Sequence, residues 1–210
     1  MNQSLILYTN RQHSSPYVLS VYATLYEKGL PFELKTVDLA TGENLAQPYS
    51  RLSLTSRVPT LTIGDFSLSE SSAIIEYLEE AFPPPDFASV FPNDLRLRAR
   101  ARQIQAWVRS DMGILREERS TVVIYGARNP KPLSEPARQA ADKLLRAADA
   151  LIDEQGSNLF GAWSIADVDF SVMLNRLCAN GDPVPPKIRK YVERQAGRPC
   201  VEKWWSLARS

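Results

Sequence analysis

The stretch Arg57-Val58-Pro59-Thr60-Leu61-Thr62-Ile63-Gly64-Asp65-Phe66-Ser67-Leu68-Ser69-Glu70-Ser71-Ser72 decides how this chain is read. Thr60 to Ile63 and Phe66 to Leu68 are β-favouring residues on either side of a Gly64-Asp65 turn signal. The Ser69 to Ser72 cluster sits just before the apolar spacing Ala73, Ile74, Tyr77, Leu78. The pattern predicts strand, tight turn, strand, helix.

Two features of the stretch can carry chemistry. Pro59 opens the first strand where it cannot donate to a ladder, so Val58 is held extended with its own amide and carbonyl free for a partner. Glu70 and Ser71 stand at a helix start, where unpaired amides and the positive end of the dipole favour an anion, and the Glu70 carboxylate suits an ammonium. Together they would grip a zwitterion, such as the amino-acid end of a peptide. Taken alone, Val58-Pro59 reads equally as an ordinary trans edge-strand proline, and Ser-Glu-Ser-Ser as a helix cap.

Working toward the N-terminus, Leu5 to Thr9 is an apolar run of strand length, followed by the polar segment Asn10 to Ser14. Ser15 and Pro16 then open a helical pattern through Leu19, Tyr22, Leu25 and Tyr26 to Lys28 and Gly29, with serine at the N-cap, proline at the first helical position and glycine past the end. Phe32 to Leu39 alternates with period two, as a half-exposed strand does. Strand, helix, strand favours a parallel pair with a right-handed crossover. Thr41 to Tyr49 predicts a weak helix ended by Pro48. The sum, β-α-β, a poor helix, then β-β-α, is the order of a thioredoxin-like domain.

Working toward the C-terminus, Pro83, Pro84, Pro85 and Asp86 break the pattern, and Phe87 to Asn93 has no clear period. The expected organisation is therefore a thioredoxin-like α/β N-terminal domain over 1–82, a linker over 83–93, and an all-α helical domain over 94–210. Helices are expected at Asp94 to Glu118, Glu135 to Gln155, Ile165 to Asn180, Pro186 to Gln195 and Arg198 to Ala208. In the first of these, Leu95, Ala99, Ile104, Trp107, Val108, Met112 and Leu115 form a candidate core stripe. Arg96, Arg98, Arg100 and Arg102 recur at every second residue, spread around the cylinder and read as solvated, with Asp94 and Asp111 among the possible partners. Ser164-Ile165-Ala166-Asp167 is a capping box in its Asp form, a structural device.

Composition excludes several classes. With 25 basic against 24 acidic side chains and a formal charge of +1, the 210-residue chain lacks the basic surplus of a nucleic-acid binder. Its two cysteines, Cys178 and Cys200, form no C-x-x-C and no Cys/His spacing suited to a metal, and read as reduced thiols of a cytosolic protein. No basic leader with an apolar run opens the sequence, and no stretch reaches the ~18 apolar residues of a membrane span. The expectation is a cytoplasmic protein with no metal and no membrane or nucleic-acid partner.

The ordered set resembles a cytosolic glutathione transferase: Val-Pro before the third strand, an acidic residue and serine opening the third helix, a proline-rich linker, a helical half and the Ser-Ile-Ala-Asp box. The resemblance covers essentially the whole chain. Ser14 to Tyr17, Ser69 to Ile74 and Gln103 to Glu118 are most similar to the bacterial YfcF type. The resemblance implies that Val58, before a cis-proline at Pro59, hydrogen-bonds the cysteinyl backbone of glutathione, and that Glu70 and Ser71 hold its γ-glutamyl end. It implies that Ser15 donates to the thiolate sulfur, with Ser14 its competitor for that role and a glutathione-binding candidate. His13, the one histidine, reads as a solvated loop residue rather than a base.

The energetics suit a serine. A thiol with an ordinary pKa of ~8.5 needs about 1.4 kcal/mol of preference for the anion per unit of lowering. One hydrogen bond to a charged group supplies roughly 1.5 to 3 kcal/mol, and a helix N-terminus adds about 0.3 to 1 kcal/mol. A shift of one to two units follows, without metal or general base. Serine where redox relatives carry cysteine disfavours turnover through an enzyme mixed disulfide.

The expected function is transfer of glutathione thiolate, as co-substrate and not a resident cofactor, to a small hydrophobic electrophile, with reduction of organic hydroperoxides as a companion activity. That places the protein in detoxification and oxidative-stress defence. Tyr17, Trp107 and Met112 are candidates to line a second-substrate pocket between the domains, although their spacing equally suits core. A homodimer is implied by the resemblance. The alternatives are a non-catalytic assembly or regulatory module on the same fold, and a glutathione-dependent lyase or isomerase sharing every site residue.

Overall fold

The computed structural model describes residues 4–155 and 157–209; the outermost bounds of the two expected domains, residues 1 and 210, lie outside them. Strand β1 (Leu5–Asn10) leads into helix α1 (Pro16–Glu27) and strand β2 (Phe32–Val37). Ser15 caps α1, its hydroxyl accepting from the Val18 amide at 3.4 Å, and Gly29 ends it with φ of 65°, a conformation glycine adopts without steric cost. Strands β3 (Thr60–Ile63) and β4 (Phe66–Ser69) follow, joined by Gly64-Asp65 with Gly64 at φ 61°, the hand a two-residue hairpin needs.

The four strands are ordered β2-β1-β3-β4, with β1 and β2 parallel and both remaining pairs antiparallel. β3, flanked by β1 and β4, is buried throughout, whereas β2 at one edge alternates, as its period-two sequence requires. Helix α3 (Ser71–Ala81) packs Ile74, Ile75 and Leu78 inward next to α1. This is the thioredoxin-like arrangement expected of the N-terminal half. The weak helix expected over Thr41 to Tyr49 is corrected: a 3-10 turn at Glu43–Leu45 is followed by a short helix α2 (Tyr49–Leu52). Pro48 therefore caps the start of a helix rather than closing one, which is where a residue lacking an N–H is tolerated.

The remaining helices are α4 (Leu95–Ser110), α5 (Gly113–Glu118), α6 (Glu135–Leu151), α7 (Ile165–Asn180), α8 (Pro186–Ala196) and α9 (Pro199–Arg209), with a second 3-10 turn at Thr121–Tyr125. The single helix expected over Asp94 to Glu118 is broken at Asp111 and Met112. Arg116 donates to the Val108 carbonyl at 2.6 Å and the Arg109 carbonyl at 2.9 Å, satisfying the last carbonyls of α4. The core stripe is also corrected, because Leu95 is 77% exposed and Ala99 is exposed; the buried positions of α4 are Ala101, Ile104, Gln105 and Val108. Asp94 and Asp111 do not serve the arginine run: Asp94 caps α4 at the Arg96 and Leu97 amides, and Asp111 is taken by Lys143 and the Trp107 indole.

By packing, the chain divides into two compact units, residues 1–90 with 199–210, and residues 91–198. Helix α9 thus packs with the first unit, and the segment read along the sequence as a linker is divided between the two units at residue 90. Trp204 of α9 is fully buried against Tyr22 of α1, ring centroids 5.3 Å apart.

Buried charged groups help hold each unit internally. In the first, Lys28 pairs with Glu79 at 2.7 Å and donates to the carbonyls of Phe82 and Ala88, both at 2.9 Å. Glu79 also accepts from the Ser89 hydroxyl and the Val90 amide, so the proline-rich segment is tied to α1 and α3. In the second unit, Asp167 is fully buried and accepts from the Ser164 amide (2.9 Å), the Leu159 amide (2.8 Å) and the Tyr191 hydroxyl (3.0 Å), closing the capping box at the start of α7. Burial pushes its carboxyl up from the usual range, against the pull of those donors.

Candidate functional site

Register brings the candidate residues together. Tyr8 of β1 pairs with Thr60 of β3, and Thr60 with Ser69 of β4. Because β3 runs opposite to both neighbours, the chain leaving β1, the chain entering β3 and the chain leaving β4 all lie at one end of the sheet. Those segments carry Ser14 and Ser15, Val58 and Pro59, and Glu70 and Ser71.

The Val58-Pro59 bond is cis. Among the described residues, neither the amide nor the carbonyl of Val58 has a hydrogen-bond partner. The segment before it is anchored through the Arg57 carbonyl, which accepts from the hydroxyls of Tyr49 (2.7 Å), Thr60 (3.0 Å) and Ser53 (3.1 Å). Ser53 Oγ accepts the Arg57 amide in return, at 3.2 Å. Burial raises the Tyr49 hydroxyl pKa, so it stays a donor at neutral pH. Val58 is therefore an edge of backbone held in place from behind, able to pair with an extended peptide in both directions.

Glu70 is the N-cap of α3, exposed, with φ 74° and ψ 114°. A non-glycine residue in that region of φ costs of order 1 to 3 kcal/mol, and such strain concentrates at functional positions. Ser71 is buried beside it at the first turn. The start of α3 thus offers N–H donors suited to a carboxylate, and Glu70 beside it a carboxylate suited to an ammonium.

At α1, the Ser15 hydroxyl uses a lone pair to accept from Val18, which leaves its proton to donate elsewhere. Capping and thiolate donation are compatible in one serine. Ser14 Oγ accepts from Asn10 Nδ2 at 2.8 Å. His13 is corrected from a solvated residue: it is half-buried, with φ 48°, and meets the Trp204 ring edge-on at 5.9 Å. Burial lowers its pKa, keeping it neutral.

The second-substrate candidates fare unequally. Tyr17 is half-buried on the first turn of α1. Met112 is fully buried, the packing role its spacing also allowed. Trp107 donates its indole N–H to Asp111 at 2.8 Å and lies 6.4 Å from the Phe170 ring. Burial pushes the Cys178 thiol up to about 11, so it is no nucleophile at neutral pH. No group of three or more metal-ligating side chains occurs among the described residues. Nor is any described helix long and apolar enough to cross a membrane.

Two contributors escape a reading along the chain, Asn10 and the hydroxyls gathered on the Arg57 carbonyl. Both act through contacts that close loops, and only the polarity of the 10–14 segment hinted at the first.

The family model described as glutathione S-transferase, N-terminal domain, matches residues 11–86, and that for the C-terminal domain matches residues 94–210. This chain belongs to the glutathione S-transferase family. It is 34% identical to human glutathione S-transferase theta-2 over 131 residues, 60% of this chain and 53% of the relative, so that match spans about half the relative's length. Against theta-2 of Rattus norvegicus, identity is 30% over 85% of this chain and 77% of the relative. A solved glutathione transferase homolog from Burkholderia GL BGR1, with bound glutathione, superposes with a TM-score of 0.80 at 46% identity, covering 99% of this chain and 98% of that one.

Proposed function

We propose that this protein binds glutathione and transfers its thiolate to small electrophiles, with Ser15 donating a hydrogen bond to the sulfur. The observation that carries the reading is Ser15 itself, an N-cap whose hydroxyl accepts from Val18 and keeps its proton for a second partner. Val58 pairs with the cysteinyl backbone. Glu70 takes the γ-glutamyl ammonium, and Ser71 with the α3 amides takes its carboxylate. The glutathione bound in the 46%-identical homolog supports glutathione as the ligand. Catalysis consists of thiolate stabilisation plus positioning. Tyr17, next to the serine pair, meets the electrophile.

The same thiolate, attacking peroxide oxygen instead of carbon, breaks the O–O bond and releases the alcohol, leaving glutathione sulfenic acid that a second glutathione converts to the disulfide and water; hydroperoxide reduction is thus the companion activity. In this reading the protein is a cytoplasmic homodimer of the YfcF type; the Ser14 to Tyr17, Ser69 to Ile74 and Gln103 to Glu118 stretches support the type, and a bacterial homolog matched along almost its whole length supports a bacterial glutathione transferase.

Titrating glutathione into wild type and Ser15→Ala tests the reading, with binding followed by calorimetry and the thiolate by its ultraviolet absorbance across pH. The expected result is binding by both, with the thiol of the variant ionising about one to two units higher. Absence of glutathione binding by wild type overturns the reading in favour of a non-catalytic module. Unchanged ionisation in Ser15→Ala moves the role to Ser14.

A further inference from the structure

Asn10 ends β1 and is 6% exposed, so it is not a solvated member of the polar segment it opens. Its carboxamide is fully engaged. Oδ1 accepts the amides of Ser14 at 3.2 Å and Ser15 at 3.1 Å, while Nδ2 donates to Ser14 Oγ at 2.8 Å and to Gln12 Oε1 at 3.2 Å. Its backbone carbonyl accepts the His13 amide at 2.9 Å, closing the turn in which His13 takes φ 48°. Two converging backbone N–H groups require an acceptor, which assigns the oxygen to the serine amides and the nitrogen to Ser14 Oγ.

We propose that Asn10 is the positioning residue of the thiolate site, holding the Ser14 and Ser15 backbone so that the Ser15 hydroxyl aims its proton at the sulfur, and doing so without charge. The proposal rests on the assignment of Ser15 above. The two tasks of Ser15 are separable: its hydroxyl caps α1, whereas Asn10 grips its amide. A hydrogen bond weakens steeply with angle, and misplacement by about 1 Å can cost on the order of a hundredfold in rate. Loss of the grip therefore acts on the thiol as well as on the fold. The side chain must also be neutral. An aspartate could accept both amides, but it would lose the donor to Ser14 and set a negative charge against the thiolate.

The experiment uses the full chain as wild type, Asn10→Ala and Asn10→Asp. It measures the thiol pKa of bound glutathione by absorbance, the glutathione Kd by calorimetry, and Tm. Wild type is expected to ionise the thiol below its free value. Asn10→Ala should raise that pKa by about one unit, a tenfold loss of thiolate at fixed pH, with Kd changed less than about threefold because Val58, Glu70 and Ser71 are untouched. Asn10→Asp, which keeps an acceptor for both amides, should raise it at least as far. A fall in Tm with the thiol titrating as in wild type, in Asn10→Ala or in Asn10→Asp, overturns the proposal and leaves Asn10 a structural residue. A wild type that does not lower the thiol pKa removes the Ser15 assignment itself, and this inference with it.

Discussion

Glu70, proposed above as the partner of the γ-glutamyl ammonium, holds a backbone conformation that is costly to the fold. Its backbone sits at φ 74°, which glycine adopts freely and glutamate does not, yet its side chain makes no cap hydrogen bond. Strain retained without a structural return points to a ligand. Glu70→Gln should weaken glutathione binding by about ten- to a hundredfold, the 1.5 to 3 kcal/mol of a charged hydrogen bond, with Tm unchanged. Glu70→Gly should weaken binding as much while raising stability by of order 1 kcal/mol, measured by urea unfolding. Equal stability of the glycine variant and wild type would show the backbone to be unstrained. At this scale the helix starts at Ser15-Pro16 and Glu70-Ser71 were legible in the sequence, because a cap depends on neighbours within one turn. Asn10 was not legible, because its carboxamide acts across a turn whose course depends on His13 entering the left-handed region.

Among the elements, α1 and α3 are joined by the Lys28–Glu79 pair, and its burial makes it consequential. The Lys28 side chain is 0% exposed and all its contacts are satisfied, so Lys28→Met leaves Glu79 buried without its cation and should cost about 3 to 5 kcal/mol in denaturant unfolding. Burial alone would raise the Glu79 pKa, but hydrogen bonds from Lys28, Ser89 and the Val90 amide outweigh it and hold the carboxyl below its usual 4.5. A lowered carboxyl pKa stabilises the fold above the unfolded value, and that stability is lost as pH falls through the folded one. Tm should therefore drop below about pH 4.5, and Glu79→Gln should flatten that slope. A slope identical to wild type would assign the acid sensitivity elsewhere. The Ser164–Asp167 box was legible because its partners are three residues apart. The break of α4 at Asp111 was not, since Arg116 stabilises it only once the chain has turned back on itself.

For the whole molecule, the last helix matters to the first loop. Trp204 of α9, 0% exposed, lies against Tyr22 and His13, so a C-terminal segment completes the surroundings of the serine loop. Trp204→Ala should cost about 3 to 5 kcal/mol and return the pKa of His13, the single histidine, upward toward its ordinary 6.5, as read by NMR titration. The sign follows from burial: a lowered histidine pKa favours the neutral ring in the fold, so its contribution is present above about 6.5 and is lost as pH falls. An unchanged His13 titration in the variant would show that Trp204 does not shield it. By itself the sequence determined the order of elements, the caps at Ser15 and Ser164, the hairpin at Gly64-Asp65 and the residue types of the candidate site, because each depends on neighbours within a turn or a strand period. Tertiary structure alone decided that Leu95 and Ala99 face solvent, that α9 joins the first unit, and that Asn10 and the Arg57 carbonyl hold the site loops. The reason is that burial and loop closure depend on what packs against a residue, and periodicity names a face without naming what covers it.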